Sequence, residues 1–289
     1  MASVLNTNMS SISAQKYLST AQNKLQVSFE RLSSGSRINR AQDDAAGMGI
    51  SQKLTASINS TSVAMRNAND AIGVLQTAEG ALAEISNMLQ RFKELSVQGG
   101  NPALSSSQRG FLSLEMNGLK TEITAISERT RFNGTSLLGN TEGDGNSTED
   151  LVFQTGEGTR DTLTVSTLNV TEGSAIKELF SEPFVDDEGK GAIVDTDKFQ
   201  QLATKIDSAI DEVASNRAVF GAQVNRLNYN LANLSALFEN LSSANSRVVD
   251  TDYANETAQL TKTQILQQAA TAMLSQANAQ PNVVLALLK

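Results

Sequence analysis

The sequence predicts a mainly α fold, a long antiparallel helical bundle or coiled-coil rod with a small β-hairpin region inserted in the middle. Two observations carry this. Apolar residues recur every seven positions over long proline-free stretches in both the first and the last third of the 289 residues. Between those stretches the composition changes to Gly, Ser, Thr, Asn and Asp, with short β-branched runs.

The strongest repeat lies in the last third. Ile206, Val213, Phe220, Leu227, Leu234, Leu241 and Val248 are spaced by seven, and Ile210, Val224, Leu231 and Phe238 add a second seam four residues on. At a rise of about 1.5 Å per residue this is a rod roughly 60 Å long. A second repeat pairs Ala68, Leu75, Leu82 and Leu89 with Ala71, Ala78, Ile85 and Phe92, and Gly99-Gly100 followed by Pro102 ends it. A shorter helix follows, with Leu112, Leu119 and Ile126 seven apart and Met116 and Ile123 between them. Leu18, Leu25 and Leu32 repeat the theme near the N-terminus. Matching seams of this kind pack distant parts of a chain side by side. In the middle, Leu151-Val152-Phe153 and Thr162-Leu163-Thr164-Val165, separated by a Gly-rich stretch, read as a β-hairpin.

Charge is uneven. The net value is −8, yet residues 141–197 hold 14 Asp and Glu against Arg160, Lys177 and Lys190. An acidic middle argues against nucleic acid, which needs a basic stripe. The chain has no Cys, His or Trp, so thiol and imidazole nucleophile pairs and imidazole metal sites are excluded, and neither an enzyme nor a cofactor is expected. The uncharged stretch 263–288 is too rich in Gln, Asn and Ser for bilayer core, and residues 1–15 lack the basic and apolar regions of a cleavable signal, so no membrane insertion is expected.

Both uncharged ends carry apolar residues that need a partner, and another copy of the same chain is the simplest one. In the stretch 31–51, Ser33-Ser34-Gly35 should end one helix, and Asp43 or Asp44 should cap the next. The paired aspartates read as a helix start beside Arg37 and Arg40, and no metal site is assigned there. The triplets Asn133-Gly134-Thr135, Asn146-Ser147-Thr148 and Asn169-Val170-Thr171 are expected by chance in so Asn-rich a chain, and the run 186–191 is a solvated acidic turn.

The run NTNMSSISAQKYLSTAQNKLQVSFERLSSGSRINRAQDDAAG resembles the N-terminal signature of bacterial flagellins, and SRVVDTDYANETAQLTKTQILQQAATAMLSQANAQPNVVLALL resembles their C-terminal signature. The resemblance implies paired terminal helices over 1–43 and 251–289 that form a filament core, a helical rod domain over 44–140 and 196–250, and a short acidic region over 141–195 facing solvent. It implies a self-assembly core of Leu5, Ile12, Leu18, Leu25, Leu32, Ile265, Leu266, Met273, Leu274, Val284 and Leu287. The rod seam would run through Leu75, Leu82, Leu89, Phe92, Ile206, Val213, Phe220, Leu227, Leu234 and Leu241. A receptor or interprotofilament surface would comprise Gln90, Arg91, Glu94, Leu95, Gln98 and Glu115, with Leu95 read as lying outside the seam.

The implied location is the extracellular flagellar filament, reached by export of the unfolded chain through the flagellar type III apparatus. The implied partners are further copies in a helical homopolymer, sister flagellins, the export chaperone, the filament cap, hook-associated proteins and host Toll-like receptor 5. A hook–filament junction protein is the alternative, against which the full QILQQAATAMLSQAN segment speaks. The short middle implies that the outer domains of large flagellins are missing. Gly47-Met48-Gly49 departs from the family's usual single Gly, and the extra Gly is expected to loosen the helix start.

Overall fold

The computed structural model describes residues 7–139, 151–165, 175–181, 183–186 and 190–287, with side chains described as far as residue 280. Among these residues there are six helices, α1 (Met9–Ser34), α2 (Ala45–Gly99), α3 (Ser106–Arg129), α4 (Ala175–Phe180), α5 (Thr196–Val249) and α6 (Tyr253–Leu287). Two antiparallel strand pairs join them, β1 (Arg131–Phe132) with β2 (Thr135–Ser136), and β3 (Leu151–Gln154) with β4 (Thr162–Val165). The chain forms two compact units, Asn59–Phe238 and the combination of Met1–Ile58 with Glu239–Lys289.

In the Asn59–Phe238 unit, α2, α3 and α5 share one core. Leu75, Leu82, Leu89 and Phe92 of α2 meet Ile206, Val213, Phe220 and Leu227 of α5, and Met116 and Ile123 of α3 complete the cluster. Polar pairs on the rim set the direction. Glu79 with Arg217 at 3.0 Å, and Lys93 with Asp207, run α2 and α5 antiparallel. Ser105 opens α3 with a capping box, its hydroxyl accepting from Gln108 N–H while the Gln108 side chain accepts from Ser105 N–H.

Arg109 is buried and donates to the carbonyls of Gly99, Asn101 and Val194, so its charge sits where the last carbonyls of α2 converge. Gly99 has no room for a side chain, because a Cβ there would meet the Phe199 ring at 2.4 Å.

The middle packs more deeply than a solvent-facing region would. Leu163, Val165, Ile176, Leu179, Phe184 and Ile193 are all buried in the same core, which corrects the expectation that 141–195 faces solvent throughout. Local anchoring explains it. The Ser113 hydroxyl donates to Phe184 O and accepts from Ile193 N–H at 3.3 Å, Lys120 Nζ donates to Phe180 O at 2.6 Å, and Ala175 N–H donates to Glu212 at 2.6 Å. The Phe184 ring meets Phe92 edge-on at 5.3 Å. Strands β3 and β4 pair with Leu151 opposite Val165, and Gln154 ties down the connecting loop by donating to Gly156 O and Gly158 O.

The β1–β2 hairpin lies outside the β-branched runs that mark strands in the sequence. Its two-residue loop is Asn133-Gly134, both with positive φ (50° and 86°), the signature of a type I′ turn. The Asn-Gly dipeptide was the available signal.

In the other unit, α1 and α6 run antiparallel. Asn8 caps α1, and Gly35 ends it in the left-handed region at φ 71°. The chain then pairs with the stretch between α5 and α6. Arg37 N–H donates to Val249 O at 2.6 Å and Thr251 N–H to Gly35 O at 2.9 Å. Asp44 is the capping aspartate of the pair named from sequence, accepting from Gly47 N–H at 2.9 Å, whereas Asp43 accepts from Asn39 and Arg40.

Candidate assembly surface

The α1–α6 pair is built on small side chains. Ser11, Ala14, Ala21 and Ser28 are the buried residues of α1, and Thr263 and Ala277 are buried on α6. Small residues let the two backbones come close, with Cα atoms within 8 Å along the pair. Leu18, Leu25, Leu32 and Leu274 are half-buried beside this seam. Asn8 shows how closely the helices are matched. Pro281 has no N–H to give the Ala277 carbonyl four residues back, and Asn8 Nδ2 supplies one at 2.8 Å. At the other end, Arg31 pairs with Glu256 at 3.6 Å.

The large aliphatic residues lie elsewhere. Ile12, Ile265, Leu266 and Met273 are 51–65% exposed. Met9, Tyr17 and Phe29 are exposed too, and sequence reading passed over them; their signal was apolar side chains at helix positions off the heptad. Between the helices runs a groove of about 570 Å³, lined by Ala14, Tyr17, Ala21, Leu266, Ala270 and Met273 among others. Leu5 lies outside the described residues, as do the side chains of Val284 and Leu287. Exposed apolar side chains grouped in this way mark a contact surface.

The residues named for the rod seam are buried, except Leu241, which is half-buried. On the α2–α3 rim, Gln90, Arg91, Glu94, Gln98 and Glu115 are exposed together. Arg91 bridges the two helices. It donates to Glu115 at 2.7 and 2.9 Å and to Glu94 at 2.9 Å. Hydrogen bonds to Glu94 and then Glu115 raise its pKa further above an already high value.

Leu95 does not belong to this surface. It is fully buried, which corrects its placement outside the seam. The reason is packing. At this end of α2 the buried stripe widens to take in Phe92, Leu95, Ser96 and Gly99, because α3, Phe184 and Phe199 are packed there as well.

Among the described residues there is no group of three or more His, Cys, Asp or Glu that could hold a metal ion. No described helix is long and apolar enough to cross a membrane.

Comparison with known proteins matches residues 5–142 to the bacterial flagellin N-terminal helical region and residues 203–288 to the bacterial flagellin C-terminal helical region. Flagellin of Bacillus subtilis (strain 168) is 39% identical over 305 aligned residues, covering 99% of both chains. Flagellin A of Vibrio anguillarum is 33% identical over 380, covering all of both. A solved structure assigned to the flagellar hook-associated proteins, from Vibrio parahaemolyticus, covers 72% of this chain and all of its own with a TM-score of 0.57. At 16% identity it shows the fold alone. Full-length identity therefore favours a filament subunit over a hook-associated one. With both terminal regions matched in order and relatives aligned from end to end, the chain belongs to the bacterial flagellins.

Proposed function

We propose that the apolar surface of α1 and α6 is the contact through which subunits of this chain polymerise. As a flagellin the chain is a structural subunit of the bacterial flagellar filament outside the cell, and it self-assembles. The observation that carries the reading is the inversion in α1 and α6: small residues inside the pair, and Ile12, Ile265, Leu266 and Met273 outside it. Burying the exposed half of a side chain of that size contributes about 1 kcal/mol, and several such side chains together favour association over a free monomer.

In this reading residues 1–43 and 251–289 form the filament core, 44–140 with 196–250 the rod, and the acidic side chains of 141–195 face the medium. The chain works mechanically and without catalysis. Export proceeds unfolded through the flagellar type III apparatus, with the export chaperone, filament cap and hook-associated proteins as partners along the way. Electron microscopy before and after limited proteolysis of residues 1–40 and 255–289 tests the central point. Long filaments from the intact chain, lost on trimming either end, are expected. Filaments that survive trimming overturn it.

A second surface, Gln90, Arg91, Glu94, Gln98 and Glu115, supports recognition of the monomer by Toll-like receptor 5. The support is the exposure of all five and the fixed position of Arg91 between Glu94 and Glu115. A receptor reporter assay on monomer should lose signal with Arg91→Ala while the fold is kept. Full signal from that variant removes Arg91 from the contact.

A further inference from the structure

The chain contains two Asn-Gly dipeptides, Asn117-Gly118 and Asn133-Gly134, in opposite surroundings. Asn117-Gly118 lies inside α3, where the Gly118 amide is committed to the carbonyl four residues back and the Asn117 carbonyl also accepts from the Thr121 hydroxyl at 2.9 Å. Asn133-Gly134 forms the exposed tip of a hairpin whose strands are two residues long. Nothing lies within 4 Å of the position a Cβ of Gly134 would take. A two-residue turn keeps the amide of its second central residue out of the strand ladder.

We infer that Asn133, of the two Asn-Gly sites, is the one that deamidates in the folded subunit. The backbone nitrogen of Gly134 attacks Cγ of Asn133, and the new N–Cγ bond closes a five-membered succinimide. The Cγ–Nδ2 bond breaks and the amide leaves as ammonia, carrying the proton lost by Gly134. Water then opens the ring at either carbonyl, giving aspartate or isoaspartate. Both products add a negative charge. Isoaspartate also routes the backbone through Cβ and Cγ, which lengthens the loop by one atom and breaks the Phe132–Thr135 and Arg131–Ser136 register.

Leu137 and Leu138 follow directly and are buried, the first held by Leu137 N–H donating to Thr130 O at 3.0 Å, so the change loosens a core anchor. An extracellular filament subunit has no access to cytoplasmic repair, and the modification therefore accumulates with filament age.

The test is peptide mapping by mass spectrometry of the full chain kept folded at mildly alkaline pH, with isoaspartyl methyltransferase labelling as the second readout. Helical protection should slow Asn117 by about tenfold or more relative to Asn133, since each ~1.4 kcal/mol of local opening costs a factor of ten. In denaturant the two sites should react at matching rates. Asn133 reacting as slowly as Asn117 in the folded chain would overturn the inference. Equal and rapid reaction at both sites in the folded chain would also overturn it, because dipeptide sequence and not the turn would then set the rate.

Discussion

Gly47 and Gly49 stand two residues apart at the start of α2, and a methyl group should affect them in opposite directions. A Cβ at Gly47 would come within 2.5 Å of an Asp44 carboxylate oxygen and 2.7 Å of Ile38 Cδ1, whereas at Gly49 it would meet nothing within 4 Å. Gly47→Ala must therefore displace the cap that Asp44 gives to the Gly47 amide, a loss of about 1–2 kcal/mol. Gly49→Ala removes backbone freedom at no steric cost and should gain about 0.5–1 kcal/mol. Urea titration of both variants checks the pair, and destabilisation by Gly49→Ala would contradict this account of the helix start. At the start of α6, Asp252 accepts from the Asn255 backbone and side chain and from Ala254 N–H, and these bonds hold its pKa below the usual aspartate value. A depressed folded pKa stabilises above the unfolded value of ~3.9 and is lost as pH falls through the folded one. Protection factors of the Ala254 and Asn255 amides, corrected for intrinsic exchange, should fall as acid protonates Asp252 in the wild type, and show a flatter pH response in Asp252→Asn.

Among the elements, α2 and α5 were legible because a sustained seven-residue period admits only a helix with one buried stripe. The docking of 175–181, 183–186 and 190–195 was not legible. Ile176, Leu179, Phe184 and Ile193 are too few and too irregularly spaced to carry a period, and their burial depends on partners such as Ser113 and Lys120 far away in sequence. The α1–α6 seam was misleading in another way. Leucines at 18, 25 and 32 pointed to a leucine seam, whereas the buried positions are Ala14, Ala21 and Ser28. Leu95 and Arg91 separate fold from surface on a single helix. Leu95→Ala should cost about 2–5 kcal/mol as a buried truncation. Arg91→Ala should leave the unfolding midpoint unchanged, because its carboxylate partners are exposed. Equal losses from both would mean that the Arg91 bridge is structural. Lys120 adds a pH signature to α3. Burial lowers its pKa, so the folded state holds its proton less tightly than the unfolded chain does. Its contribution to stability should rise with pH from the lowered value up to the ordinary ~10.4. That rise should appear in the difference between wild type and Lys120→Met across alkaline thermal melts, because the variant lacks the titrating amine.

For the whole molecule, the exposed apolar residues of α1 and α6 make the subunit's own fold and its polymerisation separable. Leu266 is 51% exposed and Met273 65%, so an aspartate at either position enters water in the monomer and leaves the buried line of Ala14, Ala21, Thr263 and Ala277 intact. In a polymer that covers this surface the same substitution forfeits the burial of the exposed half of the side chain, about 0.8–1.5 kcal/mol, and must also desolvate a carboxylate. The critical concentration for assembly of Leu266→Asp should then rise by at least ~4–12-fold, while circular dichroism shows the helical fold retained. Val152→Asp is the matched control, since Val152 is 61% exposed on β3 in the inserted region and belongs to neither terminal helix. Sedimentation of assembled protein across a concentration series reads both variants. Normal assembly by Val152→Asp with failure by Leu266→Asp places the polymer contact on the terminal helices. The reverse result would move the contact to the inserted region, and leave the apolar face of α1 and α6 without a role in the filament.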